Sequence, residues 1–339
     1  MAMDTVVCKN CALDSKTPGI TINADTGLCQ FCEHYTPLSK EKKEEYKAQM
    51  DLLFTSPTKH QGKYDVIMAL SGGVDSSYAL YRLKKEYPHL RVLAVQFDNG
   101  FISDTAFHNA RKFCELTKST YFRLILDNNL LRDTFKKAAR SKDAYPGFAK
   151  YRASDMCNTC MSIIKQKLVE MAIHTKTPFI VFAFSPGQTE VPFVTLTRPF
   201  MTWIRKLFDA QLKTMGVQER DQYLMDQTII TTSPPDTEVM IIHPFLVWEY
   251  NKHQFKKDII RLGWTEPDLN DPNSSNCLLN AYAIKNHFDK YHIHSYAYDQ
   301  SALVRQGNIT KEEAQKTLNT KFSDAALQEV DRQLNLPEK

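Results

Sequence analysis

No run of apolar residues in this 339-residue chain approaches the ~20 needed to cross a bilayer, so a membrane-spanning helix is not expected. No basic flank precedes an apolar core in the opening MAMDTVVCKNC, so no secretory leader is expected and a cytoplasmic setting is. Low-complexity blocks are missing, and nothing repeats internally except CxxC, which occurs three times. A dense basic patch with interleaved aromatics, the mark of a dedicated nucleic-acid binder, is also missing. The net charge of +4 permits an anionic substrate such as a nucleotide, a nucleotide-sugar or RNA without demanding one. Lys40, Lys42 and Lys43 alternate with Glu41, Glu44 and Glu45, which reads as a solvated helix face. Neither a Walker A loop nor the dinucleotide GxGxxG occurs.

What is present has the composition of a globular protein, 42% hydrophobic and 24% charged, with room for one large domain plus appendages or for two domains. Four blocks follow one another. Residues 1–36 are cysteine-bearing and irregular, and 37–60 read as a charged helix with a polar linker. Residues 61–250 carry β-rich runs at 64–70, 91–97, 120–126, 178–184 and 239–245, the first four separated by helical patterns. Residues 251–339 read as helical, with Thr310 and Glu313 forming a capping box. Strands alternating with helices predict an α/β fold with a doubly wound parallel sheet. The nearly continuous apolar runs predict strands buried on both faces.

The first strand leads straight into SGGVDSS, residues 71–77, and the sequence then turns helical. At the carboxyl end of such a strand, backbone N–H groups and a helix N-terminus favour an anion. Gly72 and Gly73 remove Cβ atoms where backbone must approach a phosphate and allow positive φ. Ser71, Ser76 and Ser77 offer hydroxyls, and Asp75 can ligate Mg²⁺. A plain glycine turn with Ser and Asp caps is the alternative. The whole string, Ser71, Gly72, Gly73, Val74, Asp75, Ser76 and Ser77, resembles the PP-loop of the ATP pyrophosphatase superfamily, which includes GMP synthetases and tRNA-thiolating enzymes. That resemblance implies ATP cleavage between the α- and β-phosphates, pyrophosphate held by the loop, and AMP transferred to a substrate oxygen. It also implies nucleotide contacts at Phe97 and Asp98 of FDNG (97–100) and at Gly187 and Gln188 of FSPGQ (184–188).

Eight cysteines in a reducing setting point to metal or redox chemistry. Cys8, Cys11, Cys29 and Cys32, as C-x2-C-x17-C-x2-C, predict a closed tetrahedral thiolate shell for a structural Zn²⁺, with iron as the other ion such a shell accepts. A segment this short takes its folding energy from the metal. Its wording, CKNCALDSKTPGITINADTGLCQFCEHY, resembles the start of N-acetyl sugar amidotransferases, and the tail 292–314 is similar in layout. Cys157 and Cys160 open a helix, where the N-terminal field with Arg152 and Lys165 nearby predicts lowered thiol pKa values. Cys277 follows in a polar loop. Three thiolates can hold a [4Fe–4S] cluster with one iron open. This layout resembles zinc-finger-bearing two-thiouridine synthetases, although this chain lacks their further C-terminal zinc cysteines. A persulfide-carrying pair without a cluster and unrelated structural cysteines stand as alternatives. Cys114, at helical spacing, reads as core, and His243, His287, His292 and His294 as surface or core residues.

Activation of an oxygen leaves the incoming nucleophile open. Sulfur delivered through Cys157, Cys160 and Cys277 is one expectation. Ammonia from a partner glutaminase, giving an acetamidino sugar, is a second, since no glutaminase domain is visible here. A zinc-bearing, non-catalytic nucleotide sensor is a third. The expected partners are a small-molecule, sugar or tRNA acceptor and a sulfur donor or glutaminase, with no membrane. Homodimers are common among the relatives.

Overall fold

The computed structural model describes residues 5–56, 62–142, 144–267, 271, 273, 274 and 276–335. The linker expected at the end of 37–60 lies outside these from residue 57 on. Along the chain run α1 (Gln30–Glu33), α2 (Lys40–Thr55), β1 (Val66–Ala69), α3 (Val74–Glu86), β2 (Val92–Asp98), α4 (Asp104–Thr117), β3 (Thr120–Ile125) and α5 (Asn128–Arg140). There follow α6 (Ala149–Arg152), α7 (Asp155–His174), β4 (Phe179–Phe182), β5 (Phe193–Thr197), α8 (Arg198–Thr214), α9 (Gln227–Thr232) and β6 (Glu238–Ile242). The remainder is helical: α10 (Lys252–Arg261), α11 (Leu279–Tyr291), α12 (Ala297–Arg305), α13 (Lys311–Leu318) and α14 (Asp324–Leu334).

The strands form one sheet in the order β3-β2-β1-β4-β6-β5. Val66 of β1 pairs in parallel with Val92 of β2 on one side and with Phe179 of β4 on the other. The chain therefore winds outward from β1 in both directions, which makes the ends of β1 and β4 the topological switch point where such sheets bind ligands. Val66 and Met68 face α3 and α10, while Ile67 faces α7, and all three are fully buried. That two-sided burial is what the apolar run at 64–70 predicts.

Two strands depart from the sequence reading. β5, with sequence FVTLT, is an antiparallel edge strand paired with β6, Phe193 opposite Ile242, in a stretch where no β-rich run was expected. β3 forms where expected but closes the other edge with little cover, leaving Phe122 44% and Ile125 55% exposed. An edge strand gains pairing from one neighbour only, so apolar character does not report its burial. Among the described residues no helix is long and apolar enough to cross a membrane. The acidic–basic face of α2 is solvated, with exposed Lys42–Glu45 and Lys40–Glu44 pairs, and the capping box at Thr310 and Glu313 forms.

Candidate functional site

The 71–77 loop leaves β1 and becomes the first turn of α3, with Gly73 as its N-cap. Gly72 has φ +78°, and a Cβ there would overlap the carbonyl oxygen of Ala106 in α4. Gly73 is in ordinary extended conformation at φ −77°, so of the two glycines only Gly72 uses the left-handed region. The loop is braced from below. Gln96 Nε2 donates to Ser71 O at 3.1 Å, Tyr121 OH donates to Gln96 Oε1 at 2.7 Å, and Trp264 Nε1 donates to Gly72 O at 3.0 Å. Ser71 and Ser76 hydroxyls share a 3.0 Å hydrogen bond, Val74 is packed into the core, and the buried Ser77 hydroxyl has no partner among the described residues. A buried, unpaired hydroxyl at a helix N-terminus fits an anionic group arriving there. Asp75 accepts from Tyr250 OH at 3.2 Å; burial raises its carboxyl pKa against the opposing pull of Lys252.

The other expected nucleotide residues sit in varied surroundings. Phe97 is buried in a core with Leu131 and Phe135. Asp98 is buried and paired with Arg123 at 2.5 Å, its second oxygen accepting from Gly100 N at 2.9 Å. Gly187 lies against α12, where a Cβ would overlap the carbonyl of Asp299. Gln188 is exposed, and its side chain accepts from Ser185 N at 3.0 Å.

The three downstream cysteines come together at the same end of the sheet. Ser154 caps α7, its hydroxyl accepting from Cys157 N at 3.1 Å, so Cys157 and Cys160 occupy the first two turns. The loop after β2 pairs with the segment before α11, through Ile102 opposite Cys277 and Leu278 N donating to Phe101 O at 2.9 Å. Asn99 Nδ2 then lies 3.5 Å from both Cys160 Sγ and Cys277 Sγ, which brings these sulfurs within twice that distance of each other. Cys157 Sγ lies 3.8 Å from Asn280 Oδ1. The chemistry suits an iron–sulfur cluster: three thiols converge from α7 and the 277 segment against apolar neighbours, and an amide N–H is aimed at sulfur.

The expectation of lowered thiol pKa values is corrected. Burial pushes Cys157 up to about 12 and raises Cys160 and Cys277 as well, outweighing the helix N-terminus. The two cations named in the sequence are used elsewhere. Arg152 bonds Gly187 O at 2.6 Å and Asp299 at 3.0 Å, and desolvated Lys165 lies over the Phe184 ring.

Asn99, Asn280, Asp271 and Tyr296 surround these sulfurs and went unread in the sequence. Asn99 alone left a signal, as the polar residue inside FDNG at a strand end. His243 stacks on Phe184, and burial pushes His287 and His294 down to about 4, which makes them neutral interior residues. Cys114 is buried as expected.

The amino-terminal cysteines form a separate centre. All four sulfurs of Cys8, Cys11, Cys29 and Cys32 lie within 4.8 Å of one another, and Cys11 and Cys29 are 3.7 Å apart. Metal–sulfur bonds of ~2.3 Å in a tetrahedron place sulfurs ~3.8 Å apart, so one ion fits this shell. The module seats on α12 through Phe31 against Tyr298 and through Arg305, which lies over Phe31 and reaches Cys11 Sγ.

Residues 59–173 match the asparagine synthase family. An uncharacterised protein of Methanocaldococcus jannaschii is 26% identical over 313 residues, covering 92% of each chain. Similar solved structures include the U34-tRNA thiolase NcsA of Methanococcus maripaludis with its [4Fe–4S] cluster, at 15% identity and TM-score 0.38 over 99% of this chain and 98% of that one. An NH3-dependent NAD synthetase of Campylobacter jejuni is similar at 16% identity and TM-score 0.30, over 43% of this chain and 58% of that one.

Proposed function

We propose that this chain, whose residues 59–173 match the asparagine synthase family, works as a PP-loop ATP pyrophosphatase that adenylates an acceptor oxygen and replaces it with sulfur. The acceptor oxygen attacks the α-phosphorus, the bond to the β-phosphate breaks, and pyrophosphate leaves. Ser71, Gly72, Gly73, Ser76 and Ser77 would hold the departing pyrophosphate, and Asp75 would hold Mg²⁺, which supplies positive charge for the phosphates. Hydrosulfide from a sulfur donor then attacks the activated carbon, the C–O bond breaks, and AMP leaves with the oxygen. Cys157, Cys160 and Cys277 would hold a [4Fe–4S] cluster, which supplies one iron not ligated by the protein for an inorganic sulfur nucleophile. Cys8, Cys11, Cys29 and Cys32 would hold Zn²⁺ with no open position, in a structural role.

One observation carries this reading: three cysteines from α7 and the 277 segment converge beyond β2, the strand next to the one that delivers the phosphate loop. Ammonia transfer to a sugar gives those thiols no task.

Anaerobic reconstitution of the full chain followed by iron, sulfide and zinc analysis tests the proposal. The expected result is about four irons and four sulfides beside one zinc per chain, with the iron lost in Cys157→Ser, Cys160→Ser and Cys277→Ser. A wild-type chain without iron or visible absorption overturns the cluster. Asp75→Asn is expected to abolish ATP-dependent pyrophosphate release, and unchanged release removes Asp75 from the magnesium role.

A further inference from the structure

Asn99, just beyond β2, is buried, and its amide has a fixed orientation. Phe101 N donates to Asn99 Oδ1 at 2.9 Å. Only the carbonyl oxygen can accept that proton, so both amide N–H donors point away from Phe101. They meet Cys160 Sγ and Cys277 Sγ, each 3.5 Å from Nδ2.

Cys157 meets the opposite polarity. Asn280 Nδ2 donates to Asp271 Oδ2 at 3.0 Å, which turns the amide oxygen toward Tyr296 OH, at 2.9 Å, and Cys157 Sγ, at 3.8 Å. An N–H donor stabilises a thiolate or metal-bound sulfur, whereas a carbonyl oxygen stabilises a protonated thiol. The three sulfurs are therefore chemically unequal, and the inequality comes from two oppositely turned amides.

We propose that Asn99 is a positioning residue that clamps Cys160 and Cys277 as one sulfur pair, set apart from Cys157. This rests on the sulfur-transfer reading and sharpens it. Sequence spacing pairs Cys157 with Cys160, but the amide bridges Cys160 to a cysteine in a different segment. In the cluster-bearing protein the same N–H groups would offset negative charge that gathers on sulfur in reduction.

Two readouts test the clamp. In the metal-depleted full chain, dibromobimane joins two thiols only when both are within its reach, and peptide mass mapping identifies the pair. The expected main product joins Cys160 to Cys277. Asn99→Asp keeps the acceptor for Phe101 N but loses both donors, and it should lower that product about fivefold, the factor one hydrogen bond supplies. A dominant Cys157–Cys160 product in the unsubstituted chain overturns the proposal, however the variant folds. In the reconstituted chain, Asn99→Asp is expected to shift the reduction potential negative at unchanged iron content, and an unchanged potential overturns the clamp. If the wild type takes up no iron, the cluster reading fails separately, and crosslinking still decides the clamp.

Discussion

At the scale of single residues, Gly72 carries two constraints that reinforce each other. Its φ of +78° belongs to the left-handed region, and its α-carbon faces the backbone of α4 with no space for a side chain. Gly72→Ala is expected to cost about 2–5 kcal/mol, combining the left-handed penalty with overpacking against rigid backbone. Urea unfolding measures that loss, and an ATP-binding titration should show weakened binding, because the loop must shift to relieve the overlap. Asp299 is a second informative residue. Burial pushes its carboxyl up to about 7, although Arg152 lies 3.0 Å away. Between the ordinary carboxylate value of about 3.9 and 7, the folded chain binds more protons here than the unfolded chain does. Its contribution to stability is therefore fully present below that window and falls by up to a few kcal/mol as pH rises through it. Urea unfolding at pH 5 and pH 8 should show this slope, and Asp299→Asn should flatten it. An equal slope in the variant would assign the pH dependence to other groups.

Among the elements, α7 does the most to place the sulfur centre, and α11 holds its first turn. Asp155 at the start of α7 is buried, and its Oδ2 accepts from Lys290 Nζ at 2.7 Å and from Tyr291 OH at 3.1 Å, both from α11. Removing one partner from a buried ion pair leaves an uncompensated charge, so Lys290→Met should cost about 3–5 kcal/mol. Thermal or urea unfolding checks this, and a loss below 1 kcal/mol would mean that water reaches Asp155. The elements also show what a sequence can report. The strands β1, β2, β4 and β6 were legible because burial on both faces writes a continuous apolar run. β5 was not, since an antiparallel edge strand with FVTLT has neither a continuous run nor a turn that marks a hairpin. α3 and α4 were legible from helical periodicity, and the α7 start from the cysteine spacing.

For the whole molecule, the site is assembled by long-range packing that no local pattern announces. Cys157 and Cys160 stood out through their spacing, whereas Asn280, Asp271 and Tyr296 sit near them only because the chain returns after α10 to close over the strand ends. The amino-terminal four-cysteine module belongs to the same closure. Its core of Leu13, Ile20 and the cysteines is completed by Ile293, Ala297 and Tyr298, and Lys311 Nζ donates to Cys8 O at 2.6 Å. α12 thus faces the four-cysteine module on one side and the Gly187–Arg152–Asp299 contacts at the end of β4 on the other. With a zinc ion held by the four thiols, as proposed, so small a core would depend on it, and chelation should unfold the module and release α12, while the sheet and its covering helices persist. Trypsin should then cut at Lys9 and Lys16 on the order of tenfold faster, with protection restored by added zinc. Arg305, whose guanidinium lies over Phe31, should become a new cleavage site in the same sample. Equal cleavage with and without metal would show that the contacts with α12 fold the module by themselves and that the four thiols hold no structural ion.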